Sequence, residues 1–293
     1  MGKGKEGTSQ QRRALLKLVG GMGAAMVAGA RSEADAATVA RQTPVERLVQ
    51  PLDRGLWITW YDLPEEGRAE YLSWMHETYI PGLLERPGYL WAAHYASRPR
   101  GSSSSDQVRH IEDPTVPNGY QYILLVGGED AHTFGDPYPS ALNAALPEQA
   151  RKMLAMRAGE RMSIMVEAGR CEGGGAGEYK EGMTGAPAIQ LGSFNCPLEY
   201  EEEILAGYVQ RRLPAQCATG SCVRTRKLSS VVGWAKHAIL YEYLSLAGFL
   251  RDYDAARVAS PLGLGESSRV SLLRHAPNGP NSALRLWPPV SEG

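Results

Sequence analysis

From Leu56 onward, short apolar and aromatic runs alternate with polar stretches that carry glycine or proline, and the period inside each run indicates what it forms. Leu56-Trp57-Ile58-Thr59-Trp60-Tyr61 is dense in β-formers and predicts a strand. Asp62-Leu63-Pro64-Glu65-Glu66 then gives a turn with proline and acids at a helix start, which suits the positive end of the helix dipole. The helix is expected to reach about Glu85, with Leu72, Met75, Tyr79, Ile80 and Leu83 on one apolar stripe. His76 stands four after Leu72 and three before Tyr79, so it lies on the stripe and not on the solvent side. Pro87-Gly88 ends the helix, Tyr89 to Ala96 reads as a second strand, and residues 97 to 119 form a Ser/Pro-rich surface loop. Tyr120 to Val126 predicts a third strand, broken by Gly127-Gly128. Ala131 to Arg157 is helical in pieces cut by Pro137, Pro139 and Pro147, and Met162 to Val166 predicts a fourth strand.

The glycine-rich run from residue 169 to 187 reads as a linker or flexible flap. Beyond it the order repeats: strand Ile189 to Phe194, helix Pro197 to Leu213, strands Cys222 to Leu228 and His237 to Tyr243, helix Leu244 to Val258, and strand Val270 to His275. Pro81 sits seven before Gly88 and Pro214 six before Gly220, which points to internal duplication. Two βαββαβ runs predict an α+β fold of two tandem ferredoxin-like units that together form an intrachain dimeric α+β barrel. The expected boundaries are 55–168 for the first unit, 169–187 for the linker and 188–293 for a second, degenerate unit.

Composition changes this picture mainly at the N-terminus. The chain has 293 residues, 43% hydrophobic and 22% charged, enough for one large or two small cores. Residues 1 to 36 differ: a basic start, Arg12-Arg13-Ala14-Leu15-Leu16-Lys17, a Gly/Ala-rich apolar stretch to Ala30, and the A-x-A pattern Ala34-Asp35-Ala36. This resembles a bacterial twin-arginine export signal, and it implies a periplasmic or secreted protein with no stable membrane insertion once the signal is cut. A polar linker, 37–54, follows. Removal of the signal takes six basic and three acidic residues and moves the net charge from −1 to −4. No basic block interleaved with aromatics appears in the body, which excludes an electrostatic footprint for nucleic acid. Cys171, Cys196, Cys217 and Cys222 could form up to two disulfides in an oxidising compartment. A zinc site is disfavoured, because no second Cys or His pair stands at ligand spacing.

His76-Glu77-Thr78-Tyr79-Ile80-Pro81-Gly82-Leu83-Leu84, followed by Pro87-Gly88 and the strand Trp91 to Tyr95, resembles the H-x-P-x-L-x-x-x-P-G stretch of EthD-like and related stress-responsive dimeric α+β barrel proteins. Proline stands five residues after the histidine, so the spacing departs from that pattern. The likeness covers the first half, and the second half by element order alone. It implies a small-molecule partner, an enzyme of the cofactor-free cyclase, lyase, isomerase or monooxygenase kind, and a fold compatible with homodimers. Haem-binding cousins such as dye-decolorising peroxidases and chlorite dismutases are the alternative, although the G-x-x-D-G motif of the peroxidases is absent: alanine follows Asp130 in Gly127-Gly128-Glu129-Asp130. A non-catalytic small-molecule binding protein is the third reading.

The candidate chemistry follows from these elements. His76 is expected as general base or proton shuttle, since imidazole titrates nearest neutral pH. His94 is the second candidate and Tyr122 a hydroxyl able to orient a substrate oxygen. Trp57, Tyr61, Tyr79, Trp91 and Tyr95 would wall a cavity for an aromatic or carbonyl, polyketide-like substrate, and His132 would cap its mouth. No metal and no cofactor are needed for that chemistry. Matching Pro214 to Pro81 puts Val209 where His76 stands, so one active half is expected. His237 and Glu242 read as core groups or haem-type ligands, and Glu199 to Glu203 as a solvated acidic helix start.

Overall fold

Strand burial on both faces organises the structure. In β1 (Gly55–Asp62), seven of eight residues are buried, and β4 (Tyr122–Gly128) is buried throughout. β1 pairs antiparallel with β4 and with β5 (Ala158–Glu172), while β4 pairs with β2 (Tyr89–Ser97). The sheet order β2-β4-β1-β5 is that of a ferredoxin-like unit. The later half repeats it as β7-β8-β6-β10, from β6 (Ala188–Asn195), β7 (Cys222–Val232), β8 (His237–Tyr243) and β10 (Asn281–Trp287). β5 pairs with β7 and β10 pairs with β2, so the two sheets close on each other as an intrachain α+β barrel. Two-residue strands β3 (Arg109–His110) and β9 (Arg274–His275) make a short parallel pair beside β6.

This computed structural model describes residues 53–98, 108–259 and 271–290. The segment expected to be an export signal, nearly all of the expected 37–54 linker and part of the Ser/Pro-rich loop lie outside the described residues. Asp53, assigned to the linker, belongs instead to the folded body, where it is buried. No helix among the described residues is long and apolar enough to cross a membrane.

Each half places its helices on the outer face of its sheet. In the first, α1 (Arg68–Trp74), a π turn (Met75–Tyr79) and α2 (Ile80–Leu84) form one continuous rod, and α3 (Pro139–Ala144) and α4 (Glu148–Leu154) lie beside it. In the second, α5 (Leu198–Gly207), a π turn (Tyr208–Arg212) and α6 (Leu213–Cys217) form the matching rod, with α7 (Leu246–Ala259) alongside. Residue alternation sorts the strands between three cores. Trp57, Tyr61, Ala92, Leu124 and Val126 face the first helix layer; Leu56, Ile58, Trp60, Trp91, Tyr95 and Leu125 face the barrel interior. Phe194, Ile239, Tyr241 and Tyr243 face the second helix layer.

The duplication is in register. From β1 to β2 each residue corresponds to the one 133 positions later, as Gly55 to Ala188, Pro81 to Pro214 and Tyr89 to Cys222 show. The counterpart of Gly88 is therefore Ser221, one residue beyond the expected Gly220.

Two expected elements change. The fourth strand of the second half is β10, not Val270 to His275, of which only Arg274–His275 pair. The glycine-rich segment is no free flap: β5 runs on to Glu172, and the N–H groups of Gly173, Gly174 and Gly175 donate to Val223 O, Cys217 O and Cys222 O. A Cβ at Gly173 would sit 2.1 Å from Cys222 O, so only glycine permits this approach. The four cysteines are free thiols, not disulfides. The Cys217 sulfur is turned to Cys171 O at 3.1 Å and Thr225 Oγ1 at 3.3 Å.

One end of the barrel is closed by charge. Arg226, fully enclosed, lies 2.9 Å from Asp53 Oδ2 and donates to Glu242 Oε2 at 3.1 Å. Glu167, Arg170 and Arg224 complete three carboxylates and three guanidiniums. Burial alone would raise the Asp53 carboxyl, but Arg226 and Arg170 outweigh it and hold it below the usual carboxylate range. Arg226→Ala leaves these acids without their shared cation and is expected to cost about 3–5 kcal/mol in urea unfolding. Arg68→Ala, which breaks a mostly exposed pair with Glu65, should cost under about 1 kcal/mol. Because the Asp53 carboxyl is depressed on folding, its contribution is present at neutral pH and should be lost in wild type as pH falls below about 4.

Candidate functional site

Proline at 81 creates the local geometry. It lacks an N–H, and its ring would press on the carbonyl four residues earlier. The rod widens there into a π turn, and the Ile80 N–H reaches back to Met75 O. Pro214 has the same effect in the other half, where Leu213 N–H reaches Tyr208 O.

His76 stands in the first π turn. Its Nε2 lies 2.8 Å from His94 Nδ1, and His94 Nε2 lies 2.7 Å from the Tyr61 hydroxyl. His94 and Tyr61 are wholly buried, while His76 is half-buried at the rim. With Tyr61 as donor to His94 Nε2, His94 carries its hydrogen on Nδ1 and donates to His76, so the Tyr61 O–H and the His94 N–H are both satisfied. Tyr122 stacks on Tyr61 at 5.7 Å and on His94 at 5.5 Å between ring centroids, and contributes ring surface to the cluster.

Arg157 sits over this cluster with its side chain fully enclosed. Its guanidinium is 4.5 Å from the Tyr61 ring centroid, donates from Nε to the Tyr71 hydroxyl at 2.6 Å, and from Nη1 to Glu160 Oε1 at 2.8 Å. Tyr79 donates to Asn143 Oδ1 at 2.8 Å. Asn143 and Glu160 in turn line a cleft of about 480 Å³ between α3, α4 and β5, with Trp57, Leu154 and Met162 as apolar walls and Arg151 also in the lining. The imidazoles thus lie behind the cleft, and Arg157 and Tyr79 separate them from it.

Burial, reinforced by His76 and Arg157, pushes His94 well below the ordinary imidazole value. Burial lowers His76 too, against an opposing pull from Glu77. Tyr61 is driven well up by burial and by Tyr71, although Arg157 pulls the other way; burial pushes Tyr79 up to about 12. At neutral pH both imidazoles are therefore neutral, and Tyr61 and Tyr79 keep their protons beside the buried Arg157 cation.

The structure brings together His76, His94, Tyr61, Tyr79 and Tyr122, and places Trp57 in the cleft wall. Trp91 and Tyr95 do not join them. Strand alternation turns both into the barrel interior, where Trp91 Nε1 donates to Asp53 Oδ2 and the Tyr95 hydroxyl to Ala186 O. His132 is exposed in a 3₁₀ turn capped by Asp130 and does not line the cleft. Arg157, Glu160 and Asn143 are members that sequence reasoning missed: the first two are charged residues at a strand start and the third a polar residue in a short helix, and nothing in their spacing marks them.

The second half lacks the relay. The counterparts of Tyr61, His76 and His94 are Phe194, Val209 and Lys227. Its Glu201 is not a solvated acid, since it lies 2.7 Å from His237 Nε2 and pairs with Lys236. Glu242 is held by Arg226. Haem needs an axial ligand presented to an open cavity. His237 has Nε2 on Glu201 and Nδ1 enclosed, and Glu242 is taken by arginine, so these two residues do not fit that role. No metal-binding group of three or more His, Cys, Asp or Glu occurs among the described residues.

No family model matches the sequence, and no curated protein matches it. Solved structures with a similar chain path include a candidate monooxygenase from Fusobacterium nucleatum subsp. nucleatum (10% identity, 81% of this chain and 94% of that one, TM-score 0.46). Others are an anthrone oxidase-like protein (10% identity, 79% and 90%, TM-score 0.45) and the chlorite dismutase of Candidatus Nitrospira defluvii with imidazole (11% identity, 82% and 94%, TM-score 0.45). No residue role is carried over from them.

Both imidazoles resist protonation when folded, whereas the unfolded chain takes a proton near pH 6.5. Wild-type stability is expected to fall as pH drops below about 6.5, by up to about 1.4 kcal/mol per pH unit for each imidazole that must charge on unfolding. His94→Gln should flatten that dependence between pH 6.5 and 5 in thermal melts.

Proposed function

We propose that this chain is an exported small-molecule enzyme that acts by proton transfer on an aromatic or carbonyl substrate held in the first-half cleft, with no metal or cofactor required. The supporting observation is the uninterrupted chain His76–His94–Tyr61, which runs from a half-buried rim into the core beneath the cleft. Neutral imidazoles can accept a proton at one nitrogen while releasing one at the other, so His76 and His94 can carry a proton inward with Tyr61 holding the buried end. Glu160, which lines the cleft and is tied to the cluster through Arg157, is the carboxylate able to exchange a proton with the substrate. Trp57 and Met162 offer faces for an aromatic body, and Asn143 and Glu160 offer polar groups to orient an oxygen. Arg157 is a positioning residue that fixes Glu160 and Tyr71 and sets the field around Tyr61. The Arg12-Arg13 string and Ala34-Asp35-Ala36 support a periplasmic or secreted location.

A second reading, a binding protein without turnover, is favoured by one observation: neither imidazole lines the cleft. A panel of phenols and aromatic ketones, assayed for binding and for conversion, separates the two. For an enzyme, His94→Gln and Tyr61→Phe should each lower kcat on the order of 100-fold with little change in KM, and Trp57→Leu should raise KM. The wild-type kcat should fall with decreasing pH, with a midpoint below 6.5, because the working imidazole is the neutral one. If Trp57→Leu weakens binding of a panel compound and no wild-type conversion of that compound is measurable, the binding reading stands.

A further inference from the structure

At the end of the barrel opposite the ionic cluster, one cation stands without an acid. Arg161 is the cross-strand neighbour of Trp60 and shares the inner face of β5 with Ser163 and Met165. Its residue exposure is 5%, and its guanidinium lies 3.7 Å from the Trp60 ring centroid. Nη1 donates to Ser193 Oγ at 3.3 Å and to Trp234 O at 3.2 Å. Nε is enclosed with no acceptor, and so is Trp60 Nε1 on the ring beneath it. Among the described residues no carboxylate pairs with Arg161, whereas Arg226 at the other end has three carboxylates around it. Uncompensated burial pulls the Arg161 group down to about 9. A buried charge in this condition is unfavourable unless something neutralises it.

Arg161 lines an open cleft of about 330 Å³ whose other walls include Val116, Pro117, Met162 and Trp234. Two acids also line it. Glu160 is neutralised by Arg157, and Asp113 is exposed, with its carboxylate accepting from Thr115 N and Oγ1. We propose that this cleft is a binding site for a small organic monocarboxylate with an aromatic or apolar body. The carboxylate would supply the acceptors that Arg161 lacks, in the planar geometry a guanidinium favours. The apolar body would lie against Trp234, Val116 and Pro117. Asp113, which has no cation beside it among the described residues, disfavours a second negative charge, so dicarboxylates and polyanions are selected against. The site stands apart from the proton relay, although Glu160 and Met162 form walls of both clefts, and it does not depend on the chain being an enzyme.

The test uses benzoate as probe on the full chain, with benzamide, phthalate and chloride at equal concentration as controls. Benzoate at about ten times its dissociation constant should raise the wild-type thermal midpoint by a few degrees, saturably, and the controls should not. Arg161→Met should abolish the benzoate shift and, having removed an unpaired charge, should melt at or above wild type without ligand. Val116→Trp, which fills the cleft and keeps Arg161, should also abolish the shift and guards against misfolding of the first variant. The proposal is overturned if benzoate does not stabilise wild type, if chloride or benzamide does so equally, or if Arg161→Met keeps the shift. A marked loss of stability in ligand-free Arg161→Met would likewise overturn it, since that makes the arginine a structural group with its partners already in place.

Discussion

Closure of the sheet is the constraint from which the rest follows. Once β5 pairs with β7 and β10 with β2, the long strands have one face toward the barrel interior and one toward a helix layer, and their middle residues are buried on both. Adjacent residues on a strand then belong to different compartments. His94 enters the helix-side relay, while Tyr95, one residue on, enters the interior. Arg161 and Met162 part in the same way. The polar groups that remain inside must find partners there, which explains the six-residue charge cluster at one end and makes the single guanidinium at the other chemically conspicuous.

The second half shows what the same backbone does without that chemistry. Its rod has a proline at the matching place, a π turn before it and strands in matching register, yet phenylalanine, valine and lysine replace the tyrosine and two histidines. The π turn is therefore a consequence of proline in the rod and not of catalysis; only the first half places an imidazole in it. Retaining the second copy keeps two edges for the first unit to pair with, and so removes exposed strand edges from the molecule.

Much of this was legible in the sequence. Strands buried on both faces are short, dense runs of aromatic and β-branched residues, so β1, β2, β6 and β8 were placed to within a residue or two, and His76 on the apolar stripe was found from helical period alone. The failures share a physical cause. β10, reading Asn281-Ser282-Ala283-Leu284-Arg285-Leu286-Trp287, is half polar because Arg285 turns inward to Gly185 O, and the more apolar Val270 to Leu273 drew attention away from it. β5 reads as ending early because Glu167 and Arg170 belong to the ionic cluster and look like loop residues. Trp91 and Tyr95 were separable from His94 by parity, but grouping by aromatic type hid it. Arg157 and Arg161 gave no signal, because a charge about to be enclosed has the same letter as one left in solvent.

The position of Asp53 also bears on where the folded body begins. It is two residues ahead of the first strand, yet it supplies one of three negative charges to a cluster that balances only with all six members. Loss of Asp53 would leave that barrel end with a surplus positive charge sealed inside, so the folded body includes this residue ahead of its first strand.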